Sequence, residues 1–235
     1  MKASPEFDQF ADAYETDLNQ ALAASGEDLD YFARGRVAFL ARCLGKLDKS
    51  SRAAMDYGCG IGGTAPLLRE LLGASQVVGV DLSERSLERA RALYGCDGIS
   101  FQTFNQHAPA AQLDLVYCNG VFHHIPADSR LSALEYIYRS LRPGGLFAFW
   151  ENNPWNLGTR YVMAKCVFDH DATTLSPPEA KRLLRRAGFA IVRTDFLFYF
   201  PRALKALRPL EAGLRHLPLG AQFQVLCRKP APSCA

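Results

Sequence analysis

Residues 54–64, AMDYGCGIGGT, constrain the fold of this chain more than any other segment. A short apolar run breaks into Gly58, Gly60, Gly62 and Gly63 and resumes as the helical APLLRELL, so a strand, a glycine loop and a helix start follow in succession. Glycine lets the backbone turn sharply and lets a ligand approach without a Cβ in the way, which is why nucleotide sites use it at this junction. From there strand-like and helix-like patterns alternate. Strands are expected at Ala53–Tyr57, Val77–Val80, near Ile99–Phe104, then at Leu113–Cys118, Leu146–Trp150, Ile191–Phe200 and Phe223–Cys227. That alternation predicts an α/β fold of βαβ units around a mainly parallel sheet.

The remaining segments complete that frame. Ahead of residue 50, Phe7, Phe10 and Tyr14 share a helical face, and Tyr31, Phe32, Val37, Phe39 and Leu40 mark a second helix. Leu131, Leu134, Ile137, Tyr138 and Leu141 recur at helical spacing up to LRPGG at 141–145, a stop-and-turn signal expected to lead straight into the fifth strand. Ser176 and Glu179 stand at capping-box spacing with Pro177 in the first turn, opening a helix that runs to about Ala187 and ends at Gly188. No internal repeat or low-complexity tract interrupts the chain. The expectation is one structural domain, with residues 1–50 as a helical lid and 51–235 as the ligand-binding body.

At 235 residues, 49% hydrophobic and 22% charged, the chain can bury one large core without metal or disulfide staples. The seven cysteines, at 43, 59, 96, 118, 166, 227 and 234, are odd in number, scattered and never arranged as CxxC. Free thiols are expected, and no metal. No stretch reaches the ~18 apolar residues of a membrane span. The segment MKASPEFDQF lacks the apolar core of a signal peptide, so a cytoplasmic location without integral membrane association is expected. The net charge of +3 hides an asymmetry: residues 1–150 hold 14 Lys and Arg against 18 Asp and Glu, and residues 151–235 hold 13 against 6. The basic charges fall along helix-like segments such as Lys181–Arg186 and read as a solvated face. No nucleic-acid-binding pattern accompanies them.

About 20 residues beyond the glycine loop, Asp81 ends the second strand in VVGVDLS, where an acid can accept hydrogen bonds from both hydroxyls of a ribose. Gly58, Gly60 and Gly63 also satisfy GxGxxG, the dinucleotide fingerprint. Asp56 decides against that reading. It sits two residues before the first glycine, where its carboxylate would repel a pyrophosphate but would attract a cationic ligand such as S-adenosylmethionine (SAM), with its sulfonium and ammonium.

DYGCGIGGT, VDLS, LDLVYCNGVFHHI and LRPGG, in this order and spacing, resemble the class I SAM-dependent methyltransferases, close to the small-molecule enzymes of ubiquinone biosynthesis. The resemblance covers roughly residues 50–150. It implies a Rossmann-like seven-stranded, mainly parallel sheet with an antiparallel last strand, helices on both faces and a helical N-terminal extension. Carried over, it puts Asp56, Gly58 and Gly60 against the methionine part of SAM, Asp81 on the ribose and Leu82 on the adenine. The acid that often follows the third strand and meets the adenine amino group is replaced here by Asn105, followed by Gln106. Asn119, just past the fourth strand, falls where the family approaches the methionine moiety and the reactive centre. Tyr14 is expected to cap SAM, and Arg36 to pair with its carboxylate.

Methyl transfer is an in-line displacement from a good leaving group, so alignment of the partners is the main task. His123 and His124 are the candidates for taking an acceptor proton, with Asn119 beside them; in the resembling family the second of the two histidines often supports the cofactor pocket instead. Asp169, His170 and Asp171 are adjacent in sequence and read as a solvated loop, since neighbours on a loop rarely reach one ion together. Asn152, Asn153, Trp155, Asn156 and Arg160, in WENNPWNLGTRY, are expected to contact the acceptor. The expected activity is methyl transfer from SAM to a small molecule. The alternatives are a SAM-consuming lyase or cyclase that releases methylthioadenosine, for example in forming azetidine-2-carboxylate, and a SAM-binding protein without catalysis. An NAD(P) oxidoreductase is disfavoured by Asp56.

Overall fold

Strands that are apolar almost end to end, such as AAMDY and LDLVYCN, must be covered on both faces. In the computed structural model, which describes residues 14–49, 51–166, 169 and 172–231 (14–17 for their backbone alone), they form the centre of a seven-stranded sheet. The strands are β1 (Ala53–Tyr57), β2 (Gln76–Asp81), β3 (Ile99–Thr103), β4 (Leu113–Asn119), β5 (Leu141–Asn152), β6 (Ala190–Leu197) and β7 (Gln222–Arg228). Their order is β3-β2-β1-β4-β5-β7-β6. The first five pair in parallel, and β7 runs antiparallel to both β5 and β6, as the fold expectation has it.

Helices α1 (Tyr14–Leu22), α2 (Leu29–Lys46), α3 (Ala65–Leu72), α4 (Glu84–Tyr94), α5 (Arg130–Ser140), α6 (Leu157–Lys165), α7 (Pro177–Arg186) and the short α8 (Glu211–Leu214) surround the sheet. Successive strand residues point to opposite faces, so each strand feeds two cores. On one face Val37 and Leu40 of α2, Leu68 of α3 and Leu87 of α4 pack against Ala54, Leu115, Ala148 and Trp150. On the other, Leu134 and Ile137 of α5 and Leu184 of α7 meet Met55, Val116, Phe147 and Phe149. Asp28 caps α2 by accepting the Tyr31 N–H at 2.9 Å, and Glu179 reaches back to accept the Ser176 N–H at 2.8 Å at the start of α7. Because α2 also sends Phe39, Cys43 and Leu44 into the core, it is packed as part of the body.

Two strand boundaries differ from expectation by three residues or more, each for a local reason. β5 begins at Leu141, not Leu146: Leu141 already pairs with Leu113, while Leu146 pairs with Leu115, so Arg142–Gly145 bulge out of the ladder. Gly144 adopts φ +78° there and donates its N–H to the Lys229 carbonyl. β6 stops at Leu197 instead of reaching Phe200, because Phe198 takes a left-handed φ of +63° that no strand can continue through. Among the described residues, no helix is long and apolar enough to cross a membrane. Cys43, Cys59, Cys96, Cys118 and Cys227 carry free thiols.

Candidate functional site

The carboxyl ends of parallel strands are where open α/β sheets hold ligands, and the glycine turn lies at that edge. Gly58 and Cys59 donate their N–H groups to the Val80 carbonyl at 2.8 and 3.0 Å, which ties the turn leaving β1 to the end of β2. Gly58 has φ +70°, and a Cβ there would stand 2.4 Å from Val121 Cγ2. Gly60 has φ +53°, but a Cβ there would meet nothing within 4 Å, so its open side faces free space. Asp81 is fixed by two backbone donors, Gly60 N–H at 2.8 Å and Ser83 N–H at 2.9 Å.

Asp56 is buried at 3% exposure, and its Oδ2 has no hydrogen-bond partner among the described residues. Burial, with Asp81 nearby, raises its pKa to about 7, against the opposing pull of the Arg36 guanidinium. Asn119 Oδ1, Trp150 Nε1 and both side-chain polar atoms of Gln224 are likewise buried without a partner. Strand pairing lines these up, Asn119 opposite Trp150 and Trp150 opposite Gln224, on the sheet face that α2 covers. Phe39 of α2 meets Trp150 edge-on at 6.1 Å. Natively folded chains leave few buried polar groups unpaired, so this row of open acceptors and donors stands out on that face of the sheet.

Arg36, expected to pair with a ligand carboxylate, donates through Nε to Tyr117 Oη and through Nη1 to Gln222 Oε1, both at 2.9 Å. Leu82 is half-buried after β2. Asn105 and Gln106 lie exposed on the turn after β3, where Gln106 Oε1 accepts the Thr103 N–H at 2.8 Å. The side chain of Tyr14, together with Phe7, Phe10, His170 and Asp171, lies outside the described residues.

His123 and His124 do come together, with two acids that sequence spacing did not connect to them. His123 is buried at 3% exposure and its Nδ1 lies 2.5 Å from Glu151 Oε2, while Glu151 Oε1 accepts the Phe122 N–H at 2.8 Å. Asp169 Oδ1 stands 3.3 Å from His123 Nε2 and 3.5 Å from His124 Nε2. Burial opposes charge on His123, but Glu151 and Asp169 overcome it and hold its pKa up at about 10. Burial and the charge of His123 push His124 down to about 4. The loop carrying Asp169 is anchored: Thr173 N–H donates to the His123 carbonyl at 2.9 Å, and Arg130 bridges the carbonyls of Ile125 and Thr173.

A cavity of about 430 Å³ opens beside this cluster, lined among others by Arg160, Met163, Asp169 and Thr174. Of the segment expected to contact an acceptor, Arg160 reaches it. Asn153 and Asn156 do not: their amides donate to the carbonyls of Pro218, Gly220 and Leu219, and Asn156 Oδ1 caps α6 by accepting the Thr159 N–H. Their polarity serves the fold, which corrects the substrate-contact expectation for these two residues. Sequence reasoning passed over Trp150, Glu151 and Gln224. An acid ending an apolar run, as in LFAFWE, was the one available signal for Glu151.

Comparison with known proteins agrees with this fold. A family model described as a methyltransferase domain matches residues 55–149. The chain is 37% identical over 94 residues, 40% of its length and 36% of the relative's, to a trans-aconitate 2-methyltransferase of Azoarcus sp.. It is 30% identical over 186 residues, 74% of its own length and 69% of the relative's, to a malonyl-[acyl-carrier protein] O-methyltransferase of Enterobacter lignolyticus. Among solved structures it resembles a SAM-dependent methyltransferase from Mesorhizobium loti, at 25% identity and a TM-score of 0.57, covering 75% of this chain and 90% of that one. The chain spans about a third to a half of the length of the first curated relatives it matches.

Proposed function

This chain belongs to the class I SAM-dependent methyltransferase family, and on that premise we propose that it transfers the SAM methyl group to a small-molecule acceptor. The observation that carries the reading is the row of unpartnered buried polar atoms that starts at Asp56, just before the glycine turn, and runs across β4, β5 and β7. Asp56 Oδ2 and Asn119 Oδ1 are acceptors fit for an ammonium, and Trp150 Nε1 and Gln224 Nε2 are donors fit for a carboxylate. That is the polarity of an amino-acid zwitterion, and a pyrophosphate would meet Asp56 as a like charge.

Bound SAM would supply an electrophilic methyl group on a sulfonium that leaves readily. The chain's residues do the rest by placement. Asp81, oriented by Gly60 and Ser83, would accept from the ribose hydroxyls, Leu82 would pack on the adenine, and Asn105 or Gln106 would accept from its amino group. Gly58 and Gly60 would let the backbone approach the methionine arm. Arg36, with two nitrogens engaged, adds positive charge next to Asp56. Of residues 1–50, the part ahead of α2, with Tyr14, would act as the lid over the site carried on 51–235, α2 itself being packed in the body. Asn119 lies at the reactive centre in this reading, with His123 and His124 following it toward the cavity.

The cavity beside Arg160 and Asp169 supports an acceptor, because an enzyme that only cyclises SAM needs no second pocket. Arg160 suits an anionic acceptor, and the relatives named for trans-aconitate and malonyl-carrier substrates act on carboxylates. The free thiols fit a reducing cytoplasm. Mass spectrometry of the protein with methyl-labelled SAM tests the proposal. SAM should stay intact alone, and the label should pass to a member of a panel of small carboxylates that includes trans-aconitate. Release of methylthioadenosine from SAM alone, above its spontaneous rate, would overturn methyl transfer in favour of the lyase.

A further inference from the structure

The segment after α6 brings a carboxylate to two imidazoles that follow β4, and the resulting donor set is that of a metal centre. We propose that His123 Nε2, His124 Nε2 and Asp169 Oδ1 bind one divalent transition-metal ion of the zinc type, with Glu151 as the outer partner of His123. The ligand atoms all lie within 4.8 Å of one another. The two nitrogen-to-oxygen separations, 3.3 and 3.5 Å, match the spacing of about 3.3 Å between neighbours on a tetrahedral ion with bonds of about 2.0–2.1 Å. Two imidazoles and one carboxylate suit zinc, cobalt or iron, whereas magnesium and calcium prefer all-oxygen shells.

The surroundings are those of a built site. Glu151, held by the Phe122 N–H, takes the Nδ1 side of His123 at 2.5 Å and so turns its Nε2 toward Asp169. A carboxylate behind a metal-binding histidine is the usual device for fixing its tautomer and ring. Asp169 also lines the cavity shared with Arg160 and Thr174. Three protein ligands with a fourth position opening on a cavity make a reactive site rather than a structural one. The open position would take an anionic oxygen of the acceptor, a second step that rests on the acceptor reading above; metal binding itself does not.

The full chain, stripped with a chelator, is titrated with Co2+ and then with Zn2+. The expected result is one Co2+ per chain with visible absorption of low-symmetry nitrogen and oxygen coordination, displaced by Zn2+. His124→Gln and Asp169→Asn, both at positions less buried than His123, should each weaken binding by at least about 10-fold, as should Glu151→Gln through His123. Circular dichroism of the metal-free His124 and Asp169 variants should match the parent. Absence of saturable Co2+ binding, a thiolate charge-transfer band placing the ion on cysteine, or unchanged affinity in both ligand variants would overturn the site. SAM binding by the same sample is read separately, so failure of the metal site and failure of the methyltransferase reading are distinguishable.

Discussion

Polar atoms at the carboxyl ends of β1 and β4 and those around the end of β5 are both shut away from water, yet they are satisfied in opposite ways. Around the glycine turn, Asp56 and Asn119 hold acceptors without partners and Asp56 is driven toward its neutral form. At the end of β5, His123, Glu151 and Asp169 are paired with one another. An unpaired buried polar group costs about 1–3 kcal/mol, which a fold can carry where a ligand relieves it. The first region leaves acceptors open, and the second joins its groups to one another. Mutations should separate them: losing the Asp56 carboxylate acts on SAM affinity, and losing the buried Glu151 partner of His123 acts on stability.

The largest effect is expected at Glu151. Glu151→Ala leaves the His123 charge buried beside Asp169 alone and should cost about 3–5 kcal/mol in urea unfolding, with SAM affinity of the folded fraction little changed. A loss of SAM affinity at intact stability would break the division. Gly58→Ala comes next, because it combines a left-handed backbone with a Cβ 2.4 Å from Val121 Cγ2. It should cost about 1–3 kcal/mol and also displace the turn, so calorimetry should find SAM binding lost.

Asp56→Asn should do the reverse of Glu151→Ala. Charge-assisted hydrogen bonds contribute about 1.5–3 kcal/mol, so SAM affinity should fall roughly 10- to 150-fold, while unfolding shows no loss of stability because a desolvated carboxylate has been removed. The smallest effect is the pH dependence. The Asp56 pKa is raised from 3.8 to about 7, so its contribution to the stability of the ligand-free fold is fully present below 3.8 and is lost as pH rises through about 7. A cationic ligand needs the ionised form, so SAM affinity should rise with pH up to about 7 and then level off, and Asp56→Asn should flatten the profile.

The same contrast explains what the sequence reveals. The turn is local: strand, glycines and Asp81 are close in sequence, each with a steric or electrostatic reason for its type, and all seven strands were placed within a few residues except at the start of β5. That start was hidden because Pro143, Gly144 and Gly145 signal a turn, whereas the parallel ladder with β4 absorbs them as a bulge. The cluster at β5 was illegible because Asp169 joins His123 and His124 only through the tertiary path of the loop anchored by Arg130 and Thr173. Asn153 and Asn156 misled for a related reason, since polar residues after a strand look alike whether they meet a ligand or the carbonyls of a distant segment.

If the unpartnered row that starts at Asp56 recognises SAM, isothermal titration of the protein with SAM and with NAD(H), each in two buffers of different ionisation enthalpy near pH 7, should show it. SAM should bind at one site per chain with proton release from Asp56, the release absent in Asp56→Asn, and NAD(H) should show no comparable binding. NAD(H) binding without detectable SAM binding would contradict it.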